Sequence, residues 1–392
     1  MADIVPTEQV LQQTRGFRWG AVPSTPERRA EFAAAVAAAP AEPDLGGIAG
    51  FAGTFKGNGL NTIFRPQDFT ASPTPLPNPA AGPNDNILEI NLTQETLSFS
   101  APLGSIPNRG EVQRDVFLNG IPYLQTINDI TDPASPVGIH FEPGVWLSVP
   151  ATTSPDEPVS VVRMASIPHG TTIEAQGTSF TLNGGPEIAS VDITPFVIGH
   201  PDQARKFPSQ TVADNATFRL PQDLTALNAA GTITQPILDN PNLILKNRAA
   251  AQNIISTTVI AINTSPAAPL FGGGTDDIAF LLGDQNAAHP NANAIQMSAI
   301  FWVETVNEII TVPANTGKQP VIVPGAANAG EPVVSYSVTA MTPSAEETTV
   351  EVWYTQIQYT QTVLLNFNGL TWPHVSVATL VPNEPVPVAL TT

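Results

Sequence analysis

The chain contains no cysteine. Disulfides, thiolate metal sites, iron–sulfur clusters and cysteine nucleophiles are excluded together. Charge is scarce as well: 12% of the 392 residues are charged, against about 25% in ordinary globular proteins. Only four are lysines (Lys56, Lys206, Lys246 and Lys318), and the formal net charge is −19. No basic stripe is available to neutralise a run of phosphates, so nucleic acid is not an expected partner. An anionic membrane surface would repel the chain, and no stretch stays apolar for the roughly 18 residues of a membrane helix. The opening Met1-Ala2-Asp3-Ile4-Val5-Pro6 lacks the basic and apolar segments of a secretory signal, so the expected location is cytoplasmic.

What the chain does have is apolar mass and punctuation. Hydrophobic residues make up 42% and prolines number 40, enough for a large core divided by many turns rather than a disordered chain. Residues 25–38 read as a helix, with Thr25 as N-cap, Pro26 at the first helical position and an alanine-rich body. From there the pattern changes to period two. In 86–93, Leu88, Ile90 and Leu92 alternate with Glu89, Asn91 and Thr93, which predicts a strand with one wet face. Further strands are expected at 51–64, 96–100, 116–128, 138–149, 160–166 and 171–176. Others fall at 254–262, 278–282, 295–312, 333–340, 348–366 and 375–381. The expected fold is mainly β, an enlarged antiparallel lipocalin-like β-barrel carrying an N-terminal helix and a short helical insertion. The expected organisation is an N-terminal helical extension at 1–44 and one barrel domain at 45–392. The insertion lies at about 221–252, and a second β lobe is a possibility at 254–345.

Five histidines carry most of the chemical potential. His140 and Glu142 stand two apart on a strand, hence on one face, where the carboxylate can orient the imidazole; a plain half-exposed polar pair is the competing reading. His169 sits in a Pro-x-Gly turn. His200 and His289 read as loop positions. His374 follows Pro373 and opens a last apolar strand, where a neutral imidazole at a barrel rim could ligate haem iron or simply be a satisfied rim residue. Arg65, Arg109 and Arg163 lie on or beside strands and could meet an anionic ligand group or form rim ion pairs. The run Gly272–Asp277 lacks a P-loop lysine and precedes a strand, so it does not read as a phosphate loop. No nucleophile-elbow or His-Glu-x-x-His motif is present.

The order of several short motifs resembles the nitrobindin-like haem-binding β-barrels, relatives of the lipocalin and fatty-acid-binding-protein folds. Gly53-Thr54-Phe55-Lys56-Gly57-Asn58-Gly59 is similar to that family's opening Gly-x-Trp-x-Gly-x-Gly strand, with Phe55 in place of Trp. Ile121-Pro122-Tyr123-Leu124-Gln125 resembles its Leu-x-Tyr-x-Gln strand. His140-Phe141-Glu142-Pro143-Gly144-Val145-Trp146 matches its His-x-Glu-x-Gly-hydrophobic-Trp strand. Pro168-His169-Gly170 stands where the family has a Pro-Thr-Gly turn, and His374 opens the closing strand. The resemblance covers roughly 45–177 and 350–381. It implies haem b as cofactor, His374 as the proximal iron ligand and metal-binding residue, and His140 on the distal side of the pocket. Under that reading His169 donates a hydrogen bond to the bound ligand, and Arg65 or Arg109 meets a propionate.

Two classes of function follow. In the first, a haem-binding barrel binds or converts a small ligand such as NO, peroxide or peroxynitrite, with a peroxidase-like activity open. In the second, the barrel is a cofactor-free cyclase or isomerase using His140 and Glu142 as acid–base pair, or a carrier of an apolar ligand. The expected partners are a small apolar or gaseous ligand and, as an oligomer, a second copy in a homodimer.

Overall fold

In the computed structural model, ten long strands follow one another around a closed antiparallel barrel. They are β1 (Gly53–Pro66), β2 (Asn86–Phe99), β3 (Val116–Asp129), β4 (Val137–Val149) and β5 (Ser160–Ile167). The second half comprises β6 (Thr171–Asn183), β7 (Asn253–Asn263), β8 (Asn293–Val312), β9 (Thr348–Phe367) and β10 (Leu370–Pro382). Each pairs with its neighbour, and β10 returns to β1 through a register that includes Phe55↔Pro382 and Asn61↔Ser376. Closure leaves no unpaired edge on the barrel wall. The structure describes residues 43–67, 76, 85–265, 273–284, 291–317, 319–326, 332–340 and 343–390. The helix expected at 25–38 lies outside them, as do His289 and Lys318.

The glycines of the 53–59 motif have a steric cause. A Cβ on Gly57 would lie 1.8 Å from the Thr379 carbonyl oxygen, and one on Gly59 would lie 2.2 Å from that of Val377. The β1–β10 seam therefore closes only without side chains there.

One end of the barrel is filled. A 3₁₀ turn at Gly46–Ile48 and the following Phe51 insert Ile48 and Phe51 among inward-facing side chains. Phe51 stacks on Phe99 at 4.7 Å and meets Trp146 at 5.1 Å, while Phe301 stacks on Tyr359 at 5.3 Å. Offset and tilted aromatic packing of this kind makes that half a solid core. The opposite half holds the cavity described below.

The outer wall is partly clad. Three short helices, α1 (Thr225–Ala229), α2 (Gln235–Asp239) and α3 (Asn242–Ala250), form the insertion expected at 221–252. Leu224, Ile237, Leu238 and Leu245 pack from it onto Leu60, Leu88, Ile90, Val375 and Val377. Arg219 ties the preceding loop together: wholly buried, it donates to the carbonyls of Ser209, Thr211, Asp214, Pro221 and Gln222. A small sheet of Val321–Pro324, Ser335–Ala340 and Val386–Leu390 covers Val306, Ile310 and Val352.

Three expectations need correction. The polar face of 86–93 is not solvent-facing: Glu89 and Asn91 point into the barrel, and it is Leu88 and Ile90 that face outward, beneath the insertion. Residues 278–282 are not a strand. Strand Gly274–Asp277 ends where the buried Asp277 carboxylate accepts from Thr171 Oγ1 (2.5 Å) and the Ala294 amide (3.1 Å). The chain then turns into helix α4 (Ala279–Leu282), stopped by Gly283 at φ 57°. Finally, 254–345 is no separate lobe, because β7 and β8 are barrel staves and strand Gly274–Asp277 pairs with β6, while Val321–Pro324 and Ser335–Ala340 belong to the small sheet.

Candidate functional site

Alternation along the staves decides what faces inward. On β10, His374 and Ser376 point in while Val375 and Val377 point out; on β4, His140 and Glu142 point in. The β5–β6 turn places His169 at the rim. All three imidazoles line one cavity of about 480 Å³, within the range typical of ligand pockets. Its apolar wall includes Ile63, Ile127, Ile167, Ile173, Val363 and Leu365. Polar groups come from Asn61, Asn91, Gln125, Tyr359 and Gln361. Leu281 of α4 and Ala292 contribute near His169.

His374 is the most perturbed of the three. Burial, reinforced by His140 and His169, pushes its imidazole down to about 3, so the ring is neutral at physiological pH. Its Nε2 lies 2.7 Å from Asn61 Nδ2. Asn61 Oδ1 accepts from Asn91 at 3.3 Å and Asn61 Nδ2 also donates to Ser376 Oγ at 2.9 Å. This orientation makes Asn61 the donor and His374 Nε2 the acceptor, which puts the ring proton on Nδ1.

His140 is held from behind. Its Nε2 lies 3.1 Å from Glu142 Oε2, and the other oxygen, Oε1, accepts from Arg163 at 2.5 Å and from the Tyr123 hydroxyl. Burial pushes the Glu142 carboxyl up, but Arg163, His140 and Tyr123 outweigh it and hold it at about 2. A carboxylate so committed orients His140 rather than exchanging protons. Arg163 is seated among the Tyr123, Trp146 and Phe301 rings at 5.4–5.6 Å and reaches Gln361 at 2.7 Å. His169 stacks obliquely on His140, ring centroids 5.8 Å apart, and contacts the Ile139 carbonyl at 3.1 Å. Burial and His140 lower its imidazole below the usual range.

A second buried acid lies under the cavity floor. Glu95 accepts from Tyr359 at 2.6 Å, Thr93 at 3.0 Å and Gln125 at 3.2 Å, and burial raises its carboxyl despite those bonds. Tyr359 and Gln125 thus link a buried carboxyl to the cavity surface. Neither Glu95 nor Asn61 stood out in the sequence. Their signal was parity: each lies on the inward register of its strand, Glu95 closing the polar run Glu89, Asn91, Thr93 and Glu95.

The structure brings His140, Glu142, His169 and His374 to one end of the barrel. Arg65 lies at the rim, where Nε meets Glu89 at 2.5 Å, and Glu89 lines the cavity. Arg109 is elsewhere, in an exposed hairpin paired with Asp115. It is not among the lining residues. His200 is exposed in strand His200–Ala204. Among the described residues no group of three or more His, Asp and Glu side chains is arranged to hold a metal ion by itself. A haem iron, which needs only one or two protein ligands, is not bound by that requirement. No helix of the described residues is long and apolar enough to cross a membrane.

No family model matches the chain, and no curated protein matches it. Among solved structures it is similar to the crystal structure of Rv2717c from M. tuberculosis, at 9% identity and a TM-score of 0.31. That alignment covers 87% of this chain and all of the other.

Proposed function

We propose that the barrel binds haem b, with His374 as the protein ligand of the iron, and that a small ligand such as NO, peroxide or peroxynitrite is handled beside His140 and His169. The observation that carries this reading is the state of His374: a half-buried, neutral imidazole in the wall of a cavity of about 480 Å³, its Nε2 lone pair facing a side-chain amide. A neutral ring with its proton on Nδ1 is the form that donates Nε2 to a metal. The residues fit the group on chemistry: an imidazole donor, aliphatic walls and an arginine at the rim. Asn61 has to leave Nε2 for ligation to occur. The order of the Gly53–Gly59, His140–Trp146 and Pro168–Gly170 motifs, which resembles nitrobindin-like barrels, supports the same reading.

Bound there, haem would supply an iron centre able to bind or turn over a diatomic or peroxidic ligand. The protein's own contribution is positional. Arg163 and Tyr123 fix Glu142, and Glu142 fixes His140. Neutral His169 stands beside it with a nitrogen available to donate or accept. Ile127, Ile173 and Val363 keep the far wall dry. Arg65, paired with the cavity-lining Glu89, is a cation that a carboxylate at the rim would meet.

The test is titration of the purified protein with haemin, followed by absorption. The expected result is a saturable Soret band that His374→Ala shifts or abolishes, with the variant's circular dichroism unchanged. A spectrum identical in wild type and His374→Ala overturns the assignment.

A second reading draws on the link from Glu95 through Tyr359 to the cavity surface. A cofactor-free cyclase or isomerase could use Tyr359 as donor and His140 as base, oriented by Glu142. Turnover of an apolar substrate by colourless, haem-free protein favours that reading. Retention of such a ligand without turnover favours a carrier.

A further inference from the structure

We propose that Gln361 is a ligand-recognition residue of the histidine cavity, its amide nitrogen donating to a carbonyl-type oxygen of the bound molecule. The inference rests on the reading in which the cavity takes an organic ligand without haem. It names the chemistry of that ligand: an apolar body carrying an acceptor oxygen.

The orientation of the amide follows from Arg163. A guanidinium offers donors and no acceptor. Arg163, 1% exposed, commits Nε to the Tyr123 hydroxyl at 2.8 Å, Nη2 to Glu142 Oε1 at 2.5 Å and Nη1 to Gln361 Oε1 at 2.7 Å. Gln361 must therefore turn its oxygen toward Arg163 and its amide nitrogen away. That nitrogen has no partner among the described residues, and it is not one of the fold's sealed, unpaired atoms. Gln361 itself is only half-buried and lines the cavity. Its N–H groups are thus open to whatever the cavity holds.

The same guanidinium sets His140. Glu142 accepts from Arg163 through Oε1 and meets His140 Nε2 at 3.1 Å through Oε2. In the neutral ring the proton then sits on Nε2, and Nδ1 keeps its lone pair. One buried cation thereby fixes a donor on β9 and an acceptor on β4, both lining one cavity. Register gives the height of the donor. Gln361 stands opposite Ser376 of β10 and Ala299 of β8, and the next inward residue, Val363, stands opposite His374. Ala299 and Tyr359 belong to the filled half, so Gln361 marks the level at which packing ends and the cavity begins.

Capping Arg163 needs only an oxygen, which a glutamate would supply with a stronger, charge-assisted bond. What glutamine adds is the pair of N–H donors, and the atom they suit is an acceptor oxygen. The aliphatic wall of Ile127, Ile173, Val363 and Leu365 suits the rest of the molecule.

The test uses the haem-free full chain and two probes of one shape, acetophenone and α-methylstyrene, in which a methylene replaces the ketone oxygen. Affinity is read by ligand-observed NMR titration and the bound C=O stretch by infrared spectroscopy. Both probes are expected to bind saturably. Gln361→Glu keeps the oxygen that Arg163 requires, so its circular dichroism should match wild type. It should weaken acetophenone about two- to tenfold, raise its C=O stretch and leave α-methylstyrene unchanged. Gln361→Met removes the donors without adding charge and should raise the stretch in the same way. Binding of neither probe overturns the proposal together with the organic-ligand reading of the cavity. Binding of both, with the acetophenone stretch and affinity unmoved in the two variants, overturns the role of Gln361 alone. Equal weakening of both probes also overturns it, since the side chain would then only shape the wall.

Discussion

Glu142→Gln isolates the electrostatic support behind the candidate site. Glu142 is 0% exposed and Arg163 1%, so solvent screening does not reduce their interaction. Holding a carboxyl at about 2 rather than its ordinary 4.5 corresponds to about 3 kcal/mol of preference for the charged form, at ~1.4 kcal/mol per tenfold. Glutamine keeps the shape but strips the charge, which leaves the Arg163 guanidinium buried among three aromatic rings. Breaking a buried pair from one side costs roughly 3–5 kcal/mol, the same quantity seen from the other partner. The expected loss is therefore about 3 kcal/mol near pH 7, read from the urea midpoint at constant m. The sign of its pH dependence is fixed. A depressed carboxyl contributes stability that is present above 4.5 and lost as pH falls through about 2. The gap between wild type and variant should hold at pH 6–7 and narrow below 4.5. The contribution of His374 is common to both proteins and cancels in the difference. Glu142→Gln combined with Arg163→Met should recover most of the loss, because a neutral pair leaves no orphaned charge. A single-mutant loss under about 1 kcal/mol at pH 7, or a gap that does not narrow in acid, would refute the reasoning.

Two further tests address other buried polar groups. Burial pushes the Glu304 carboxyl up to about 7 against the opposing Gln356 bond and Arg248. Its contribution is full below 4.5 and lost as pH rises through 7, so Glu304→Gln should match wild type at pH 4 and exceed it by about 1–3 kcal/mol at pH 7.5; no gain at pH 7.5 would count against that burial. Asn61→Ala frees His374 Nε2 from a bond worth a net ~0.5–1.5 kcal/mol, so haemin should bind about two- to tenfold tighter by absorption titration. Weaker binding would mean that Asn61 orients the ring rather than occupying its lone pair.

Much of the barrel was legible because period two survives in nearly every stave, and Gly, Pro and Asn break the chain where the turns fall. The parity of His140 and Glu142 was legible for the same reason. Residues 278–282 misled because an apolar run of five is compatible with strand or helix. The outcome there depends on Asp277, whose partners Thr171 and Ala294 are distant in sequence. Convergence of β4, the β5–β6 turn and β10 on one cavity is a property of ring closure, and no local window contains it.

The inverted face of 86–93 has a more general cause. Binary patterning reads polar residues as outward because water normally lies outside. This barrel reverses that along part of its wall: the insertion of α1–α3 makes the outside of β1, β2 and β10 apolar, and the cavity makes their inside polar. Leu88 and Ile90 therefore point away from the barrel axis, toward Leu224 and Leu238, while Asn91 points inward to Asn61 and through it to His374. It follows that polar residues on the inward register of a stave clad from outside mark the cavity lining. Asn61 and Ser376, which lie on the clad β1 and β10, become identifiable as site residues once the cladding is known. Glu304 is the converse case. It lies on the outer parity of β8, wholly buried among Gln356, Gln252 and Arg248, and its raised carboxyl records a covered exterior rather than a second active centre.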